Sequence, residues 1–321
     1  MTRTLADRLV SPRLLDAARG VDVEPGGLAA TVAGTRYVEG SPVALARTVG
    51  GVLYQTVHNG RDKPLEFALR SFRDPRFEQT LVAATPPLVR SVRADVVAPA
   101  APGATDVVVD LDGVRVRVPN SEPREGSVRV DLPGLRPALS PGFLYAHGPR
   151  AGRLRGPVLR LYAHVADPQA APEVWRRAVR FLTVPEIGWH AKVLSTPSLY
   201  PRCDALVVYL CRDGWPVAAP LAHELEATGL LGGSTSPFTR ALTPSVGCAF
   251  EPTDRRPAHA GSSFGQHRAN VVAEAVVAHA LEGADADLAG LLAQACVDAD
   301  VDPLEPARNL ASPALPVLGL Q

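Results

Sequence analysis

Two stretches of the chain place acid–base and anion-binding side chains at alternating positions. In LRLYAHV (159–165) Arg160, Tyr162 and His164 recur at every second residue, and in WHAKVL (189–194) His190 and Lys192 do the same. Side chains of a strand alternate between its two sides, so each set shares one face if these stretches are strands. Two neighbouring strands of this kind bring His164 and Lys192 together, with Arg160 beside them. Tyr200 and Arg202 stand in the turn before a further strand, and Arg240 follows a loop rich in glycine, serine and proline. His267 and Arg268 fall in the first turns of a helix that begins after Ser262 and Ser263. Free backbone N–H groups and the positive dipole end converge at such a helix start, which favours an anion.

The basic residues are divided unevenly. Of 33, 31 are arginine, and only Lys63 and Lys192 are lysine. Arginine binds anions but stays protonated, whereas a lysine with a lowered pKa can act as a base. Lys63, in NGRDKP, reads as a solvated loop residue. Lys192 has a plain alternative, a stem packed along a strand with its head in water. Tyr162 and Tyr200 are equally well explained by core packing or by orienting an anion. His267 either contacts substrate or extends the helix cap.

The pattern of the chain must supply the frame for these residues. Helical periodicity is expected over Thr4–Ala18 and Pro42–Val57, broken by Pro25–Gly27, and again over 65–82 with an interruption at Pro75. Val96–Asp106 reads as a Pro-rich linker. Asp112-Gly113 between VVVDL and VRVRV predicts a two-residue hairpin. A strand is expected at Ser127–Leu132, followed by a Pro-rich passage ending near Pro149. In the second half, strands are expected at 158–166, 189–195 and 204–212. Helices are expected at 172–184, 220–228, 262–283 and 285–297. Mixed elements with an antiparallel hairpin indicate the α+β class, with a mainly helical N-terminal region and a C-terminal antiparallel sheet flanked by helices. The length predicts two units, divided here at 1–140 and 141–321.

Composition excludes several functions. With 33 basic and 33 acidic residues, the formal charge is zero, which argues against a bulk nucleic-acid binder. No apolar run reaches the roughly 18 residues of a membrane span. The start lacks the uninterrupted apolar stretch of a signal peptide, so a cytoplasmic protein is expected. Cys203, Cys211, Cys248 and Cys296 form no CxxC pair and read as buried free thiols, with no metal or cofactor motif in the chain.

The ordered blocks LRLYAHV, WHAKVL, LYPRCDALVVYL, PFTRALTPSVGCAF and SFGQHRANVVAEAVVAHAL resemble the HopA-type effector family over roughly residues 140–282. TRYVEG and the helices around it resemble the family more loosely. That family includes secreted bacterial effectors and biosynthetic lyases of class V lanthipeptides and thioamitides. More distantly, His164 and Lys192 resemble the acid–base pair of phosphothreonine lyases, and SFGQHR resembles that family's SYR-x-x-LR-like block. Gly265 stands where the first arginine of that block would be, and Arg268 matches the second.

The resemblance implies a phosphothreonine-lyase-like fold and β-elimination of phosphate from phosphoserine or phosphothreonine, leaving dehydroalanine or dehydrobutyrine. Lys192 would remove the α-proton and His164, with His190 as competitor, would protonate the leaving phosphate. Arg160, Arg202, Arg240 and Arg268 would hold the phosphate, with Tyr162, Tyr200 and His267 near it. The expected partners are a phosphorylated leader–core precursor peptide and a separate kinase, since the chain has no kinase phosphate loop or catalytic-loop motif. No cofactor is expected for the elimination. Two alternatives stand beside this reading: a non-catalytic peptide- or kinase-binding subunit of the same complex, and a type III effector-like protein.

Overall fold

The alternation at 159–165 and 189–194 is realised as strands, and both lie deep in one sheet. A computed structural model describes residues 9–65, 73–99, 106–119, 125–150, 154, 156–283 and 285–315. The elements run α1 (Pro12–Arg19), β1 (Val21–Val23), β2 (Ala29–Val32), β3 (Thr35–Val38), α2 (Pro42–Leu53), α3 (Pro75–Ala84), β4 (Val89–Pro99), β5 (Val107–Leu111), β6 (Val114–Val118) and β7 (Ser127–Pro133). They continue with β8 (Leu135–Ser140), β9 (Phe143–His147), β10 (Leu159–Val165), α4 (Ala171–Thr183), β11 (Trp189–Leu194), β12 (Arg202–Leu210), α5 (Ala218–Glu226), β13 (Arg240–Ala241), β14 (Val246–Phe250), α6 (Phe264–Glu282) and α7 (Leu288–Asp298). The class is α+β.

Among the described residues three antiparallel sheets form: β1-β2-β3, β6-β5-β4-β7, and a seven-stranded sheet in the order β13-β14-β10-β12-β11-β9-β8. All nine residues of β12 are buried, as its central position requires. Helices α4 and α5 pack on β10, β11 and β14. The main core takes in side chains from Val10 to Leu315, so both halves of the chain contribute to it. The four-stranded sheet has a small core of its own around Val107, Val109 and Val128.

Local chemistry explains most of these elements. Asp112 and Gly113 adopt φ of 55° and 85°, the two left-handed positions of the expected hairpin turn. Helix α6 starts at Ser263, whose N–H donates to Gln266 Oε1 at 3.1 Å. Helix α2 runs alongside α6, and Gly50 permits the approach: a Cβ there would lie 2.3 Å from Asn270 Oδ1.

Several elements differ from expectation. Residues 21–38 form a three-stranded meander rather than a break between helices, because Pro25–Gly27 is the turn of a hairpin. Val96–Pro99 is the end of strand β4, not linker; the rest of that expected linker, 100–105, lies outside the described residues, as does 66–72 of the expected helix. Of the expected N-terminal helix Thr4–Ala18, residues 4–8 also lie outside them. The Pro-rich passage contains β8 and β9. Pro137 is tolerated because β8 is a sheet edge whose pairing with β9 shifts register between Arg136 and Ser140.

Candidate active site

Register fixes which side chains share the face of Lys192. Lys192 lies opposite Tyr145 of β9 and Val207 of β12, and Val207 lies opposite Tyr162 of β10. Residues directly opposite in antiparallel strands point to the same side. The next row on this face is His147, His190, Tyr209 and Arg160. The expected contact between neighbouring strands is corrected here: β12 separates β10 from β11, so their backbones stand about 10 Å apart.

The Lys192 amine lies 4.1 Å from the centroid of the Phe143 ring. It makes no ion pair with any described residue. Burial lowers its pKa to about 8; Asp204 opposes the shift, while Arg160 and Arg202 add to it. Arg202 shares the Phe143 ring, its guanidinium carbon 5.8 Å from the centroid.

Arg202 is anchored from two directions. Its Nε and Nη2 donate to the two Asp204 oxygens at 2.6 and 2.7 Å, and Nη2 also reaches Tyr54 Oη at 3.0 Å and Asn59 Oδ1 at 3.1 Å. Burial pushes the Asp204 carboxyl up, but the charge and hydrogen bonds of Arg202 outweigh it and hold the carboxyl below its usual range. Tyr54 belongs to a five-residue π-turn, Tyr54–His58, that continues α2 onto this face. His58 at its end is buried, with Nδ1 3.0 Å from Ser236 Oγ and Nε2 4.0 Å from Asp204 Oδ2. Burial lowers its pKa to about 4, so it is neutral at physiological pH.

Arg160 pairs with Glu251 and lies 4.9 Å over the Tyr209 ring. The Tyr162 hydroxyl lies buried beside it. His190 Nδ1 is 3.0 Å from Tyr145 Oη, and its ring is 4.5 Å from that of His147. The structure thus brings Lys192, Arg160, Tyr162, His190 and Arg202 to one sheet face. Phe143, Asp204, His58, Tyr54 and Asn59 join them without having been expected. Arg202-x-Asp204 was visible as a local ion-pair spacing, whereas His58 reaches the site only through the path of α2.

Of the remaining expected residues, His164 follows Arg160 and Tyr162 at the next alternate position of β10, and the others are engaged elsewhere. His164 sits against the 232–234 loop: Nδ1 is 2.9 Å from Ser234 Oγ, and a Cβ on Gly232 would lie 2.6 Å from its Cε1. Burial lowers its pKa and the Ser234 bond partly restores it. Tyr200 donates to the Leu194 carbonyl at 2.8 Å, a structural bond. Arg240 pairs with Glu305 at 3.0 Å. Arg268 is 1% exposed and lies behind Phe264; its nitrogens bond Pro306 O, Arg308 O, Asn309 Oδ1 and His267 Nδ1. As placed, it clamps the C-terminal segment to α6 and has no nitrogen left for a phosphate.

Gly265 marks the departure from the phosphothreonine-lyase block, and packing explains it. A Cβ at this position would fall 2.0 Å from His58 Cδ2, so the His58 ring fills the space a side chain would need. Gly265→Ala is expected to destabilise the fold by about 1–3 kcal/mol through overpacking; a urea titration that leaves the midpoint unchanged would contradict this.

Asp254, His259 and His267 each offer a ligand atom within 4.8 Å of the others, the spacing of a metal centre. The tautomer argues otherwise. Arg268 donates to His267 Nδ1 at 2.8 Å, so Nε2 carries the proton and donates to Asp254 Oδ2 at 3.0 Å. Both ring nitrogens are committed to a hydrogen-bonded relay, and the set does not fit a metal.

No curated protein sequence matches the chain. Solved structures that resemble it include two bacterial effectors. The effector protein from Pseudomonas syringae pv. tomato strain DC3000 is 20% identical, with a TM-score of 0.41, over 52% of this chain and 62% of that one. The effector protein from Pseudomonas syringae pv. syringae strain 61 is 16% identical, with the same TM-score and coverage. The alignment therefore spans less than two thirds of either relative. No helix among the described residues is long and apolar enough to cross a membrane. The profile of the HopA1 effector protein family matches residues 135–308, more than half of the chain and all seven strands of the sheet that carries Lys192, and the chain belongs to that family.

Proposed function

We propose that the chain is a phosphoserine/phosphothreonine lyase that eliminates phosphate from a phosphorylated precursor peptide. The observation that carries this reading is Lys192: a lysine amine over an aromatic ring, near the anchored Arg202 and Arg160, with no carboxylate among the described residues bound to it. An α-proton is weakly acidic, and an amine partly free near neutral pH is suited to remove it. Elimination takes the α-proton to the Lys192 amine and forms the Cα–Cβ double bond as the Cβ–O bond breaks, and the phosphate leaves. Arg202, with Nη1 unengaged by the described residues, and Arg160 supply positive charge for that phosphate. His164 supplies its proton, and in the protonated form its Nδ1–H donates to Ser234 Oγ, leaving Nε2–H for the leaving group. In this reading residues 141–321 carry the chemistry, with Tyr54 and Asn59 helping to hold Arg202; residues 1–140 otherwise serve peptide or partner docking, and a separate kinase provides the substrate.

The test is direct. Phosphothreonine precursor peptide incubated with the protein should lose the mass of phosphoric acid and gain a dehydrobutyrine that traps an added thiol. Tight binding without mass loss would replace this reading with a non-catalytic binding subunit. The family's description as effectors favours a second reading, in which the same chemistry acts on a phosphorylated protein; parallel assays with peptide and protein substrates separate the two. His164→Asn is expected to slow elimination by about 10²–10³-fold, and Ser234→Ala by less, through KM-independent loss of kcat. An unaltered kcat in His164→Asn would transfer the acid role to His190.

A further inference from the structure

The arginines around the sheet face are matched to carboxylates: Arg160 to Glu251, Arg202 to Asp204, Arg240 to Glu305. Two are not. Arg90 on β4 and Arg136 on β8 have no ion pair among the described residues. Arg136 lies opposite Tyr145, which lies opposite Lys192, so its Cβ starts on the Lys192 face two strands away. Arg90 reaches in from the four-stranded sheet. Its Nη1 is 3.2 Å from His147 Nδ1, and its Nε is buried without a partner. The His147 ring in turn lies 4.5 Å from His190. Burial first, and then the neighbouring His190, Arg90 and Arg136, hold His147 neutral.

Arg90 at the neutral His147 and Arg136 opposite Tyr145 in the next row, neither with a counter-charge among the described residues, are electrostatically unsatisfied, and a bound anion would relieve this. The planar fork of each suits a carboxylate or a phosphate. We infer that Arg90 and Arg136 form a second anion subsite, which receives an acidic or phosphorylated side chain of the peptide whose phosphorylated residue sits at Lys192. The subsite rests on the lyase reading for its substrate, and the spacing defines where the anion lies in that peptide. Two strand spacings are about 10 Å, and an extended peptide advances about 3.3 Å per residue. The anion therefore sits about three residues from the reacting one.

The test uses phosphothreonine peptides carrying Glu, phosphoserine or Gln at each position up to four residues on either side. Elimination is followed as kcat/KM, and binding by fluorescence anisotropy on the full-length protein. A peptide with Glu or phosphoserine at the third position should be favoured about tenfold over its Gln counterpart, and Glu against phosphoserine tells which anion the subsite takes. In Arg90→Gln/Arg136→Gln that ratio should collapse towards one. Since the double variant needs to be folded, the wild-type ratio is also measured against salt, where it should fall steeply. A ratio near one at every position, or a preference that survives both salt and the double variant, overturns the subsite. Charge-selective binding with no elimination from any peptide would sink the lyase reading and leave the subsite standing.

Discussion

Lys192→Ala should reduce elimination from a phosphothreonine peptide by about 10²–10⁴-fold in kcat, the scale of a lost general base, while peptide binding persists. Lys192→Arg should be equally inactive, because a guanidinium does not give up its proton; a charge-only role for Lys192 predicts the opposite. The pH dependence sharpens the expectation. Lys192 must be free, with a pKa of about 8, and His164 must be protonated, with a pKa below its ordinary value. The form holding both states is a minority at neutral pH, so wild-type kcat/KM should be flat between the two values and fall outside them. His164→Asn removes one requirement. Its residual kcat/KM should rise with pH and level off above about 8, with the substrate's own phosphate ionisation near 6 shaping only the acid side. A residual rate that stays flat from pH 6 to 9 would exclude Lys192 as the titrating base.

The strands that carry this pair were legible because their alternation is local. Arg160, Tyr162 and His164, and His190 with Lys192, are period-two patterns in β-rich runs, and the register keeps Lys192 and Tyr162 on one face. Strand order is not local. Insertion of β12 between β10 and β11 depends on long-range pairing, and it carries Arg202 and Asp204 into the middle of the sheet. Phe143 was hidden by the prolines around it, which mark an edge strand rather than a loop. His58 and Tyr54 were hidden by distance along the chain: nothing in YQTVH names its destination, and only the docking of α2 on α6 places that turn over β12. Arg268 shows the converse error. A basic residue near a helix start has the form of an anion ligand, yet the carbonyls of 306–309 took up the same donors.

Asp204→Ala tests how the site is held together. The substitution leaves the Arg202 guanidinium buried with only Tyr54 and Asn59 as partners, and breaking a buried pair from one side costs about 3–5 kcal/mol. Chemical denaturation should read this as a fall in midpoint with an unchanged slope. Replacing both partners, as in Arg202→Met/Asp204→Leu, should recover much of that stability, since apolar substitutes avoid the desolvation penalty of the pair. It should not recover elimination, because the guanidinium that faces the phosphate is gone. The acid side gives an independent check. The Asp204 carboxyl is held below its ordinary value, which is about 3.9. Its contribution is therefore complete above that pH and is lost as pH falls through the lowered value. His58, neutral in the fold with a pKa of about 4 against about 6.5 unfolded, loses its contribution in the window between those values. Wild type should thus weaken in two steps on acidification, the first between about 6.5 and 4 and the second below. In Asp204→Ala the second step should shrink. If the stability gap between wild type and Asp204→Ala is the same at pH 7 as at pH 2.5, the carboxylate is not what holds Arg202 in place, and the phosphate-binding role given to that arginine fails with it.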